Sequence, residues 1–248
     1  MAINKIVVTR TKEEQLRKDD NMGLRSPGLL AKWPMIGLLM FIFGGLAFGA
    51  LTFNLLAQGP LLQLDKTLAT TLPAIGLKHA TILKPLMDSG YYIGSWATAI
   101  LGFLFGIYFI VKKFWQELTM LAVAMAGESL LFWSISSFFG RARPPTQIWI
   151  ILHIPGFPSG HTMASVVFFG FLAYLLVPKI HSAVGKGLTI GVTIIVILFV
   201  GFTRVFTAAH YLTDVLAGYA IGIAWSGMVY TLIEMYFQKR RSLHTQKR

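Results

Sequence analysis

Three short segments far apart in the chain combine arginine or histidine with other groups suited to holding or attacking an anion. The first is Gly140-Arg141-Ala142-Arg143-Pro144-Pro145, with two guanidinium groups able to grip a phosphate through paired N–H donors. The second is Pro158-Ser159-Gly160-His161, directly ahead of an apolar run. A Ser-Gly step at a helix start leaves backbone N–H groups pointing outward at the positive end of the helix dipole, which receives anions. His161, in that first turn, faces the same anion. The third segment combines Arg204 with His210 and Asp214. At i, i+4 spacing the last two share a helix face if the helix starts early enough, so that the carboxylate accepts the ring N–H and fixes the tautomer. This is the base-and-orienter logic of nucleophilic catalysis, applied to an imidazole.

Each segment alone has a plain structural account: a basic loop stopped by proline, an N-cap serine with an incidental histidine, an ion-pair cluster at a membrane edge. Together they supply two arginines, backbone donors, one histidine able to give a proton and another held by a carboxylate. Three independent coincidences are a poorer explanation than one anion-processing site.

The elements that must bring these segments together are membrane helices. The chain has 248 residues, of which 55% are hydrophobic and 13% charged, and its mean hydropathy is +0.64. Such a composition is too apolar for a soluble domain of this size. Intervals with few or no charges predict six spans, at 33–57, 89–111, 116–139, 161–177, 187–208 and 212–237. The fold class expected is therefore all-α, a six-helix polytopic bundle. An amphipathic segment from about Gln58 to Leu86, between the first and second spans, is expected to lie on the outer surface.

The net charge of +12 invites a nucleic-acid partner, but the distribution of the cations argues for membrane orientation instead. Both tails and the second and fourth loops hold 16 of the 22 Lys and Arg residues. The positive-inside rule then places both termini in the cytoplasm of a plasma-membrane protein and the three motifs on the external face. The layout expected is a cytoplasmic tail over 1–32, a membrane domain over 33–237 and a basic cytoplasmic tail over 238–248. The N-terminus shows no cleavable signal peptide, so the first span is expected to be retained. The lack of cysteine excludes disulfides and thiolate metal sites.

Arg143-Pro144, Pro158-Ser159-Gly160-His161 and Arg204-x5-His210-x3-Asp214 resemble the three-part signature of the type 2 phosphatidic acid phosphatase family, over roughly Ser89 to Phe237. The resemblance implies a lipid phosphatase that uses neither metal nor cofactor. It also implies roles: His210 attacks phosphorus, Asp214 orients His210, and His161 protonates the leaving group. Arg143, Arg204, Ser159 and the Gly160 amide would hold the phosphoryl oxygens. The substrates it suggests are undecaprenyl diphosphate, phosphatidylglycerophosphate or phosphatidic acid. Transfer of the phosphoryl group to a second acceptor is the alternative within the fold, and a non-catalytic lipid-binding protein is the alternative outside it.

Two positions depart from the family pattern. Ser136 stands where a lysine usually opens the first motif, and Thr203 replaces a serine before Arg204. Arg141 is expected to make good the missing cation as a further substrate ligand, with Lys78 or Lys84 as other sources of charge. Glu128, inside the third span, is either functional or an interhelical hydrogen-bonding group. Phe168, Phe169 and Phe171 are expected to face lipid. Gly44, Gly45, Gly49, Gly218 and Gly222 are read as small-residue contacts between helices.

Overall fold

The computed structural model describes residues 34–149 and 153–246, so the expected N-terminal tail lies outside the described residues. Helix α1 is Pro34–Leu56 and α2 is Leu61–Lys78. Helix α3 is Ala80–Val111, α4 is Trp115–Phe139, α5 is Gly160–Leu176, α6 is Ala183–Phe206 and α7 is Leu212–Gln246. All but α2 are long and apolar enough to cross a bilayer, which gives the six spans expected from the sequence. Helix α7 is central, packing against α1, α5 and α4.

The bounds shift where local chemistry overrides the charge count. The second span begins at Ala80, nine residues before the expected Ser89. Lys84 and Asp88, whose charges marked the boundary, form an i, i+4 ion pair at 2.5 Å along the helix surface instead of ending it. The fifth span starts at Ala183 because Ser182 caps it, accepting from the Gly185 N–H at 3.0 Å. Helix α7 runs on to Gln246, taking in most of the segment expected as a tail.

Helix α2 has the amphipathic character expected, with an unexpected polarity. Its buried residues are Asp65, Ala69, Pro73 and Gly76, spaced along one face, while Leu64, Ile75 and Leu77 are exposed. The acid looks inward and the leucines look out, which suits an element resting against lipid.

The main apolar core joins Phe109 of α3, Met120 and Ala124 of α4, Val167, Phe168 and Phe171 of α5, and Val229 and Tyr230 of α7. Phe168 and Phe171 are fully buried, contrary to the expected lipid-facing aromatic run. A helix between two others has no lipid side at these positions. Of the small-residue sites, Gly44 sits against Ala220 and Ala224, and Gly218 against Thr162 and Ser159, so a side chain at either would collide. Gly45 and Gly49 meet nothing.

Phe171→Ala is expected to destabilise the bundle by about 1–3 kcal/mol, below the range usual for soluble cores. Lipid is as apolar as the core, so mainly packing is lost. A lower thermal midpoint in detergent, with unchanged turnover per folded molecule, is the check.

Candidate active site

Two local features of the sequence build the site's frame. Helix α4 ends at Gly140, whose φ of 56° is left-handed and suits a residue without a side chain; its N–H returns to the Ser136 carbonyl at 3.0 Å. The chain is thereby released into the loop that carries Arg141, Arg143 and Gly156. In α3, a wide turn over Ile93–Ala97 lets Thr98 Oγ1 donate to the Ile93 carbonyl at 2.9 Å. This turn sets Gly94 so close to α5 and α6 that an added Cβ would lie 3.3 Å from the Cβ of His161 and 2.7 Å from Val200.

His210 lies in the short connection between α6 and α7 and is fully buried. Its Nδ1 is 2.7 Å from the Gly156 carbonyl and its Nε2 is 2.9 Å from Arg143 Nη1. A carbonyl only accepts and a guanidinium only donates, so the neutral ring carries its proton on Nδ1 and a lone pair on Nε2. Burial, and next the charge of Arg143, hold the imidazole well below its ordinary range, so it is neutral at physiological pH.

The expected partner of the ring N–H was Asp214, and here the structure differs. Asp214 Oδ2 stands 3.7 Å from His210 Nδ1, beyond hydrogen-bonding distance, and accepts from the Tyr211 N–H at 2.9 Å. His210 precedes the first turn of α7, so the i, i+4 facing of a regular helix does not apply. The Gly156 carbonyl, and not Asp214, takes the ring N–H. An added Cβ at Gly156 would lie 3.3 Å from both Arg143 Cγ and Asp214 Oδ2. Gly156→Ala is therefore expected to lower kcat about tenfold while the protein stays folded, because small displacements at a reacting pair are costly.

Arg143 is fixed by three carbonyls: Nε donates to Ile154 at 2.7 Å, Nη1 to Ala209 at 2.6 Å and Nη2 to Pro155 at 3.4 Å. Burial lowers its basicity to about 10, which leaves it cationic at neutral pH. Arg204, at 1% exposure, donates to the Met87 carbonyl at 3.2 Å and to Thr203 Oγ1, and stands 5.2 Å over the Tyr91 ring. The centroid of the His161 ring is 6.4 Å from that of His210, so the three segments converge. Among the described residues, Ser136 Oγ, Ser159 Oγ and His161 Nε2 are buried without a hydrogen-bond partner. A cavity of about 210 Å³, lined in part by Gly94, Glu128, Arg143, Gly160 and His161, opens beside them. Glu128 accepts from Ser129 Oγ at 3.2 Å.

Arg141 does not join this lining. Its Nη1 donates to Thr213 Oγ1 at 2.7 Å and to Asp214 Oδ1, its Nη2 donates to Asp65 Oδ2 at 2.9 Å, and it lies 4.4 Å over the Tyr211 ring. Of the two lysines expected to supply charge in place of the motif lysine, Lys84 is paired with Asp88 and Lys78 lies exposed in the last turn of α2. Asp65 is the residue that reading the sequence missed. The signal was present, since an acid shares the 65, 69, 73, 76 face with small residues while the leucines lie elsewhere.

Phosphatidylglycerophosphatase B of Bacillus subtilis (strain 168) is 29% identical over 116 residues, which cover 46% of this chain and 57% of that protein. The match thus spans little more than half the length of that relative. The lipid A 4'-phosphatase of Porphyromonas gingivalis is 24% identical over 197 residues, 73% of this chain and 77% of that one. The fold matches the crystal structure of a transmembrane PAP2 type phosphatidylglycerolphosphate phosphatase from Bacillus subtilis, with a TM-score of 0.65 and 23% identity. That match covers 82% of this chain and 96% of the other. Residues 113–238, half of the chain and the part that holds all three motifs, match the model of the PAP2 superfamily, and the chain belongs to that family.

Proposed function

We propose that this chain is a membrane phosphatase that removes a terminal phosphate from a lipid phosphate or diphosphate through a phosphohistidine on His210. The observation that carries the reading is the pair of imidazoles 6.4 Å apart, one with its Nε2 lone pair beside Arg143 and the other with its Nε2 unpartnered. Nε2 of His210 attacks phosphorus, the bond from phosphorus to the leaving oxygen breaks, and His161 hands that oxygen a proton. Water then attacks the phosphohistidine and gives a proton to His161, the bond from phosphorus to Nε2 breaks with its electron pair returning to His210, and inorganic phosphate leaves. Arg143, Arg204, Ser159 and the free N–H groups at the start of α5 stabilise the charge on the phosphoryl oxygens, which is most of the work in phosphoryl transfer.

Phosphatidylglycerophosphate is supported as substrate by the Bacillus relative, and a phosphorylated glycolipid by the Porphyromonas relative. Undecaprenyl diphosphate and phosphatidic acid remain on the panel. The charge distribution supports a site on the external face with both termini cytoplasmic.

The test is the full chain purified in detergent and assayed with EDTA against those four lipid phosphates. Release of inorganic phosphate is expected; label recovered on a second lipid would establish transfer instead, and no turnover with any of them would leave a lipid-binding role. The same assay checks a pH expectation. Because burial and Arg143 hold the His210 imidazole well below its ordinary range, the acid limb of kcat/KM should lie well to the acid side of that of an exposed imidazole. A nucleophile titrating at 6.5 or above would contradict the tight environment described for His210.

A further inference from the structure

We propose that Asp65, from the surface helix α2, is a positioning residue for the phosphatase site: with Arg141 it fixes the groups that hold the His210 ring. The inference rests on the proposed phosphatase chemistry. An acid in a segment lying against lipid is costly to bury unless every oxygen is used, and Asp65, at 1% exposure, uses both. Its Oδ1 accepts from the Thr213 N–H at 3.0 Å, one of the donors that the start of α7 cannot satisfy internally. Its Oδ2 accepts from Thr213 Oγ1 at 2.5 Å and from Arg141 Nη2 at 2.9 Å.

Two routes lead from this cluster to the nucleophile. Through the Arg141 side chain, Asp65 is tied to the Asp214 carboxylate behind the His210 ring. Through the Arg141 backbone, the carbonyl accepts from the Gly156 N–H at 2.7 Å, and the Gly156 carbonyl in turn takes the His210 ring N–H. Asp214 also reaches the anion side, since its carbonyl accepts from the Ser159 N–H at 3.0 Å, just ahead of α5. One guanidinium shared between two buried carboxylates thus sets the orientation of the imidazole and the entry of α5 together. Removing Asp65 leaves Nη2 of Arg141 without its carboxylate, and the plane of the guanidinium is then set only by Asp214, Thr213 and the Tyr211 ring, with nothing from the α2 side.

The competing account is that Asp65 only fastens α2 to the bundle. The structure offers a control, because α2 has a second anchor one turn further on: Thr146 Oγ1 donates to the Ala69 carbonyl at 2.5 Å. That bond touches none of the groups just named.

The experiment compares full-length Asp65→Asn and Thr146→Val with the unaltered protein in detergent, using dioctanoyl phosphatidic acid as probe. Steady-state kinetics and thermal midpoints are measured together. Asp65→Asn is expected to lower kcat roughly 10- to 100-fold with KM within about threefold, the signature of misoriented groups and not of lost binding. Thr146→Val should lower the thermal midpoint and leave kcat within about twofold. Unaltered kcat in a folded Asp65→Asn protein overturns the proposal, and so does an equal kcat loss in Thr146→Val. If Asp65→Asn yields no folded protein, Thr213→Val decides: it removes only the hydroxyl shared by Asp65 and Arg141, and a wild-type kcat there overturns the proposal as well. Absence of turnover in the unaltered protein would instead strike the phosphatase reading itself.

Discussion

His210→Ala is expected to abolish turnover, with kcat falling by roughly 10⁴-fold or more, because removal of the proposed covalent nucleophile leaves only binding and charge stabilisation to act. The size follows from the site's division of labour. Arg143, Arg204 and the start of α5 can still hold a phosphate when the ring is gone, so KM should change far less than kcat. The matching chemical observation is a phosphoenzyme, labile in acid and stable in alkali, that forms with labelled lipid phosphate and vanishes in the variant. Persistent turnover in His210→Ala would remove the nucleophile from the mechanism. So would a label that resists acid, since that would point to a phosphoester on an oxygen nucleophile. Stability should suffer little, because alanine removes a ring whose partners, the Gly156 carbonyl and Arg143, each keep another contact or a route to water entering the vacated space.

How much of this was legible beforehand depends on the range over which each constraint acts. The six spans follow from composition alone, because a bilayer demands a fixed length of apolar helix wherever the chain crosses it. The helix edges do not follow. Lys84 and Asp88 neutralise each other along a helix that charge counting had ended, and Ser182 starts α6 earlier than its apolar run does. At the site, the motif residues Arg143, His161, Arg204 and His210 converge, as their chemistry suggested. The bonds among them were hidden for a physical reason. Spacing gives side-chain proximity only within a regular helix, and His210 sits ahead of one, so a backbone carbonyl fifty-four residues away takes the place assigned to Asp214. Arg141 was read as a cation for substrate because an arginine two residues from another suggests a clamp. Its partners in the structure include two buried carboxylates, and one of them, Asp65, belongs to the amphipathic segment expected to lie on the outer surface. No local pattern in the first motif announces a contact seventy-six residues back. The Phe168 and Phe171 expectation failed likewise, since an apolar helix in a membrane protein does not declare which face meets lipid and which meets protein.

His161→Ala is expected to be nearly as damaging as loss of the nucleophile, but only for substrates whose leaving group needs a proton. General acid catalysis contributes about 10²- to 10⁴-fold when the departing oxygen is a poor leaving group, as the alkoxide of a phosphatidic acid is. An activated aryl phosphate, whose phenolate departs without help, should lose far less in the same variant. The geometry supports this division, because the His161 Nε2 has no hydrogen-bond partner among the described residues while its ring packs against Tyr91 at 5.0 Å between centroids, which restrains the direction in which that nitrogen points. Tyr91 also lies under Arg204, so one aromatic ring contacts both the proposed proton donor and a proposed phosphate-binding cation. Rates of both probes in both histidine variants separate the roles. The His210 variant should fail on every substrate, and the His161 variant should fail in proportion to the basicity of the leaving group. Equal losses on the aryl and alkyl probes would mean that His161 serves binding and not proton transfer, and the donor would then have to be sought among the other groups lining the same cavity, with Glu128 the first to examine.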